Sequence, residues 1–175
     1  DCVYSGDKGN YYEDSNTDAK DTYGITKAKG EINNNHSLTL RSSMIGRELY
    51  NFTELFEWLF SMRGKSVEGY GQVIYSGITT VRMAKIILSL LKNGLELSGI
   101  YNISSIPISK YQLLQKLSNA FDLNVDLFEN KNIRSNKVLI SKKFIEITNI
   151  NPPHWDELIE EFKMDCEKFK SLYRN

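Results

Sequence analysis

Tyr23 and Lys27 are the residues of this 175-residue chain whose types and spacing most directly allow chemistry. They stand four apart in a segment of helical character, with Thr22, Ala28, Lys29 and Glu31 around them, so a helix would project both side chains from one face. A tyrosine hydroxyl has a pKa of roughly 10, too high to move protons readily at neutral pH, and a neighbouring ammonium stabilises the phenolate. Lowering that pKa by about 3 units needs roughly 4 kcal/mol of differential stabilisation, attainable beside a cation in a partly desolvated cleft. Tyr23 is then a competent general acid and base. Spacing alone does not single it out, because Tyr4 and Lys8 also stand four apart. Gly6, Gly9 and Asn10 oppose a helix there, so that second pair need not share a face.

Other reactive residue types offer less. His36 follows three Asn residues and His154 follows two Pro residues; both read as loop or helix-entry positions without a partner at ligand spacing, so no metal site is expected. Cys2 and Cys166 lie at opposite ends of the chain and read as reduced packing residues of a cytoplasmic protein. Gly69-Tyr70-Gly71 lacks the glycine spacing of a nucleotide loop and reads as a turn. Tyr11-Tyr12 reads as a packed loop. The acidic residues Asp156, Glu157, Glu160 and Glu161 read as a solvated helix face.

The elements that must position Tyr23 and Lys27 follow from periodicity. Strand-like and helix-like segments alternate, which points to an α/β layer architecture. From Ser37 to Gly46 a strand puts Leu38, Leu40, Ser42 and Met44 on one face and Thr39, Arg41 and Ser43 on the other. Ligands of open α/β sheets gather outside the carboxyl ends of strands, so Arg41 to Gly46 is where binding residues are expected. Phe52 to Arg63 reads as a helix with Leu55, Phe56, Leu59 and Phe60 inward. Thr79 caps a helix that Asn93-Gly94 closes, and Gly99 to Ser104 returns as a strand. Ser109 and Gln112 form a capping box for a helix burying Leu113, Leu114, Leu117 and Phe121. Val125 to Phe128 and Val138 to Ile140 read as short strands with a loop, 129–137, between them. Pro152-Pro153 starts a terminal helix whose stripe is Trp155, Leu158, Ile159, Phe162, Cys166 and Phe169.

Composition sets the outer bounds. A chain that is 41% hydrophobic and 25% charged is an ordinary globular domain, and 22 basic residues balance 22 acidic ones. No global field would hold such a chain on nucleic acid or an anionic membrane. The longest apolar run, around Ile86 to Leu91, falls far short of the ~20 residues a membrane span needs.

Ordered motifs carry a family resemblance. Asp1-Cys2-Val3-Tyr4-Ser5-Gly6, then Glu13-Asp14, then Tyr23-Gly24-Ile25-Thr26-Lys27-Ala28-Lys29-Gly30-Glu31 is similar to extended short-chain dehydrogenase/reductases that act on nucleotide sugars. The nearest branch is the dTDP-4-dehydrorhamnose reductase-like enzymes. Leu40-Arg41-Ser42-Ser43-Met44-Ile45-Gly46 resembles the strand and loop after their catalytic helix, and Gly77-Ile78-Thr79-Thr80 the start of a later helix. Arg134-Ser135-Asn136-Lys137-Val138-Leu139 is similar to a C-terminal Arg-Pro-x-x-x-Leu motif. Two departures stand out: Met44 replaces an aromatic residue and Ser135 replaces Pro.

The resemblance implies reduction of a nucleotide-linked keto sugar with NADP or NAD, in surface polysaccharide sugar biosynthesis. Tyr23 would supply the proton and Lys27 would hold the nicotinamide ribose, while Arg41, Ser43, Met44 and Arg134 would surround the substrate. The same Tyr and Lys serve epimerases and dehydratases, which remain the enzymatic alternatives; a non-catalytic module that binds a sugar nucleotide is the alternative outside catalysis. The family's Ser or Thr before the residue matching Asp1, and its Gly-rich cofactor turn, are not in these 175 residues. The expected fold is therefore the C-terminal part of a Rossmann-like parallel sheet plus a small α/β substrate-binding subdomain. Residues 1–50 would be the remnant of the dinucleotide-binding domain, and 51–175 mainly the substrate-binding region with later strands and helices. On this expectation the chain is a fragment that would be inactive alone. Residues 1–5 would then end a strand that has lost its partners, exposing an edge for self-association, with a homodimer as the candidate assembly.

Overall fold

The computed structural model describes residues 1–94 and 96–173. Its elements run α1 (Thr22–Lys29), β1 (Leu38–Arg41), β2 (Met44–Ile45), α2 (Leu55–Ser61), β3 (Ser66–Tyr75), β4 (Ile78–Thr79), α3 (Thr80–Lys92), β5 (Gly99–Asn102), β6 (Ile108–Ser109), α4 (Lys110–Ala120), β7 (Asp126–Asn136), α5 (Lys142–Thr148) and α6 (Trp155–Lys168). β1 pairs parallel with β5, Leu38 opposite Gly99 and Arg41 opposite Asn102. β2 pairs parallel with β4. The third sheet has the order β6-β3-β7, with β3 parallel to β7 and antiparallel to β6. Parallel pairs joined through helices make this the mixed α/β fold that the alternation of segments predicts.

Local chemistry sets the helix starts. The Thr79 side chain accepts from the Arg82 amide, and Ser109 with Gln112 forms the full capping box. Asn93 closes α3, and Gly94 follows with φ +59°. The main core collects Phe56, Leu59, Ile78, Leu113, Leu117, Leu158 and Phe162, all essentially inaccessible. Phe56 meets Phe121 and Phe162 edge-on at 4.7 and 4.8 Å, the arrangement aromatic quadrupoles favour. The inward stripe of α6 is buried as its spacing predicts, although Phe169 lies just past the helix end and is partly exposed. Its acidic residues are not merely solvated. Glu157 and Glu161 both pair with Arg82 of α3, Glu161 also takes Lys85, and Asp156 meets Lys116 of α4. No helix among the described residues is long and apolar enough to cross a membrane.

Four expectations are corrected. Residues 1–5 form a turn, not a strand end: the Tyr4 amide donates to the Asp1 carbonyl, the Val3 carbonyl accepts from Asp18 and Ala19, and Ser5 donates to Asp18. Asp1, Val3, Tyr4 and Ser5 each have a backbone group with a partner within the chain, so the strand edge expected at residues 1–5 is not formed. The strand foreseen over 37–46 breaks at Ser42-Ser43 into β1 and β2. Gly69-Tyr70-Gly71 lies inside β3, and the loop foreseen over 129–137 is largely β7, opposite β3 with a register shift between Tyr70 and Gln72. β7 is the outer strand and stays mostly exposed, so it carries no alternating apolar signal. Helix α5 was not foreseen either: Phe144 is its one buried residue, too few to mark a helical period.

Candidate active site

Helix α1 presents Tyr23 and Lys27 together. The Asp21 side chain caps it by accepting from the Gly24 amide, and that hydrogen bond holds the Asp21 carboxyl below its ordinary pKa. Lys27 Nζ stands 5.6 Å from the centroid of the Tyr23 ring, and both side chains are exposed, Tyr23 to 63%. Gly24 is the one buried residue of the helix. A Cβ there would come within 2.3 Å of the Cys2 carbonyl oxygen, so only glycine lets α1 approach the 1–3 turn this closely. That approach sets Tyr23 on the wall of a cavity.

The cavity, about 430 Å³, is lined by Tyr23, Ser42 to Glu48, Glu54 to Phe56, Tyr75, Thr80 and Lys110, together with Asp1 and Cys2. Its floor is the break between β1 and β2. There the Ser43 carbonyl accepts from the Ile78 amide at 2.9 Å, and a Cβ on Gly77 would lie 2.5 Å from the same carbonyl and 2.2 Å from the Tyr75 hydroxyl. Glycine at 77 thus permits the β4 segment to close on the Ser42-Ser43 turn. Met44 is 56% exposed at the mouth. Tyr75, at the carboxyl end of β3, is buried, and burial pushes its pKa up to about 12.

The sequence-predicted residues divide three ways. Tyr23, Ser43 and Met44 line this cavity, and Lys27 stands one turn along α1 from Tyr23. Arg41 does not reach it. Its guanidinium is buried in a bidentate pair with Glu31, at 2.6 and 2.7 Å, and donates to the Tyr4 hydroxyl at 2.8 Å and the Glu13 carbonyl at 3.0 Å. Burial works to lower its pKa, but the Glu31 carboxylate outweighs it and holds Arg41 above its ordinary value. Arg41 therefore ties the end of α1 to β1 instead of facing a ligand. Arg134 lies on exposed β7 and lines a different groove, with Gly6, Asp7, Gly71 and Gln72, which shares no lining residue with the cavity. Tyr4, of the second Tyr-x-x-x-Lys pair, is buried and stacked on Tyr11 at 4.0 Å.

Five cavity residues escaped sequence reasoning: Arg47, Glu48, Glu54, Tyr75 and Lys110. Arg47 pairs with Glu57 at 2.5 Å. Lys110 Nζ sits 3.8 Å over the Tyr75 ring, and burial lowers its pKa to about 8. The missed signal is the position of Lys110 at the first residue of α4, where the helix dipole disfavours a cation. Among the described residues no group of three or more His, Cys, Asp or Glu is placed to hold a metal ion.

No family model matches this sequence, and no curated protein matches it. Solved structures do. A hypothetical dTDP-4-dehydrorhamnose reductase from Sulfolobus tokodaii is 24% identical with a TM-score of 0.73, over 91% of this chain and 59% of its own. The dTDP-4-dehydrorhamnose reductase of Bacillus anthracis, in complex with NADP, is 18% identical with a TM-score of 0.74, over 94% of this chain and 62% of its own. A UDP-N-acetylglucosamine 4-epimerase from Methanobrevibacter ruminantium is 15% identical with a TM-score of 0.71, over 97% of this chain and 60% of its own. The chain thus spans about three fifths of the length of these structures, and it has the fold of the corresponding part of nucleotide-sugar reductases and their relatives.

Proposed function

We propose that this chain carries the proton-transferring helix and the substrate cavity of an NAD(P)-dependent reductase of nucleotide-linked keto sugars, similar to the dTDP-4-dehydrorhamnose reductases. The observation that carries the reading is the placement of Tyr23 on the wall of a cavity formed at the carboxyl end of a parallel strand, with Lys27 on the same helix beside it. Ligands of α/β sheets sit outside such strand ends.

The residues fit one end of a nicotinamide dinucleotide. Lys27 and Tyr23 offer an ammonium and a hydroxyl on an open helix face, suited to the ribose hydroxyls beside the nicotinamide. No Gly-x-Gly-x-x-Gly turn for the pyrophosphate occurs in the sequence, so the fit is confined to that end. When bound, the reduced cofactor supplies two electrons and a hydrogen to the keto carbon. The chain's own part is to hold the sugar carbonyl at Tyr23, whose hydroxyl gives up its proton to the oxygen that becomes the alcohol. The Lys27 ammonium favours the phenolate left behind. Ser43 and Met44 shape the cavity around the sugar.

The test is cofactor stoichiometry in the intact protein. With a nucleotide-linked 4-keto sugar and NADPH, one equivalent of NADPH oxidised per alcohol formed is expected. Conversion of the sugar with no net NADPH oxidation would replace the reductase with an epimerase or dehydratase.

A further inference from the structure

We propose that Lys110 is the phosphate-binding cation of the cavity, taking an oxygen of the diphosphate that links nucleoside to sugar. The proposal deepens the reading of the same cavity as a nucleotide-sugar site and rests on it only for the identity of the ligand's other parts.

Geometry sets Lys110 apart from the other cavity residues. Arg47, the second cationic side chain of the wall, is paired at 2.5 Å with Glu57, and Glu57 also accepts from the Glu48 amide at 3.0 Å. Lys110 forms no salt bridge among the described residues and sits over the face of the Tyr75 ring. A cation over an aromatic face gains about 0.5–2 kcal/mol, far less than full hydration of an ammonium gives up on burial. Glu48 and Glu54 also line the cavity, but neither pairs with Lys110, so the ammonium is a charge awaiting an anion. Its place in the chain argues the same way. Lys110 is the first residue of an 11-residue helix, where the peptide dipoles attract anions and repel cations, so local helix energetics do not account for it.

The rest of the arrangement fits a diphosphate. An ammonium is a compact donor that meets phosphate oxygens as a point charge, with no planar match required. Tyr75 presents its ring to Lys110, and its hydroxyl lies beside Gly77 where that residue packs on the Ser43 carbonyl, so one buried side chain adjoins both the cation and the turn that faces Tyr23. Tyr23 and Lys110 line the same cavity, so one ligand could meet both. A cavity of about 430 Å³ is of ordinary size for such a ligand's sugar diphosphate portion.

The experiment titrates the protein with inorganic pyrophosphate, dTDP and, separately, NADPH, using wild type, Lys110→Met and Lys110→Arg. Both pyrophosphate and dTDP are expected to bind wild type, to lose at least tenfold in affinity to Lys110→Met, and to stay within a few-fold for Lys110→Arg; NADPH affinity is expected to hold. Lys110→Met removes a partly buried, unpaired charge, so an unchanged or raised melting temperature will show that the loss is not unfolding. Unchanged pyrophosphate and dTDP affinity in Lys110→Met, no binding of either to wild type, or a loss confined to NADPH would each overturn the proposal. Lys110-dependent pyrophosphate binding with no added affinity for dTDP would keep the phosphate site and remove the nucleotide-sugar reading.

Discussion

At the residue scale, Lys110 and Arg41 show how differently two cations can be read. Arg41 was foreseen near the ligand because it ends a strand, yet it is buried against Glu31, and nothing in its neighbours along the sequence announces a partner ten residues earlier. Lys110 stood in plain view after a capping box, and only its conflict with the helix dipole marked it. Its burial has a measurable sign. The folded-state pKa is near 8 against 10.5 for the free side chain, so from pH 8 to 10.5 the unfolded chain binds a proton that the folded chain does not. The group's contribution to stability therefore rises with pH across that window and is lost as pH falls through 8. Tyr23, Arg47, Glu48, Glu54 and Tyr75 line the same cavity and surround this titration. Lys110→Met is expected to stabilise the ligand-free protein by about 1–3 kcal/mol at pH 7 and to lose that advantage by about pH 10.5. Denaturant melts at the two pH values check it; equal stability at both would show that burial of the ammonium is not costly.

At the element scale, what could be read from sequence was what carries a period or a cap. Helices α3, α4 and α6 have apolar stripes, and α3 and α4 have side-chain caps as well; all three lie where the pattern places them. β7 and α5 went unread because an exposed outer strand and a seven-residue helix with a single buried side chain leave no period to detect. The acidic face of α6 was legible as a face but not as a clasp, since its partners lie some eighty residues away on α3. Burial works to raise the Glu161 pKa, yet hydrogen bonds from Arg82 and Lys85 outweigh it and hold the carboxyl below its ordinary 4.5. Stability from this clasp is then present above about pH 4.5 and lost as pH falls through the depressed folded value. Glu161→Gln is expected to cost about 1 kcal/mol at pH 7, with the difference from wild type closing in strong acid. A constant difference at all pH values would mean that packing, not charge, joins α3 to α6.

At the scale of the whole molecule, the motif order from Asp1 to Leu139 pointed to the nucleotide-sugar reductase fold, and likeness to solved structures over more than nine tenths of the chain bears out that fold. The sequence did not reveal how the cavity is assembled. Tyr23, Ser43, Tyr75 and Lys110 come from four separate elements and turns, and two close approaches that join them, at Gly24 and Gly77, are tertiary contacts that no spacing records. The central claim is that this assembled cavity places a carbonyl at the Tyr23 hydroxyl. The most direct measurement compares wild type with Tyr23→Phe in the intact protein, with a nucleotide-linked keto sugar and NADPH, alongside dTDP binding as a control. The account predicts a fall in turnover of about two powers of ten or more with dTDP affinity unchanged. Full turnover in Tyr23→Phe would contradict it and take the proton-transfer role away from this helix.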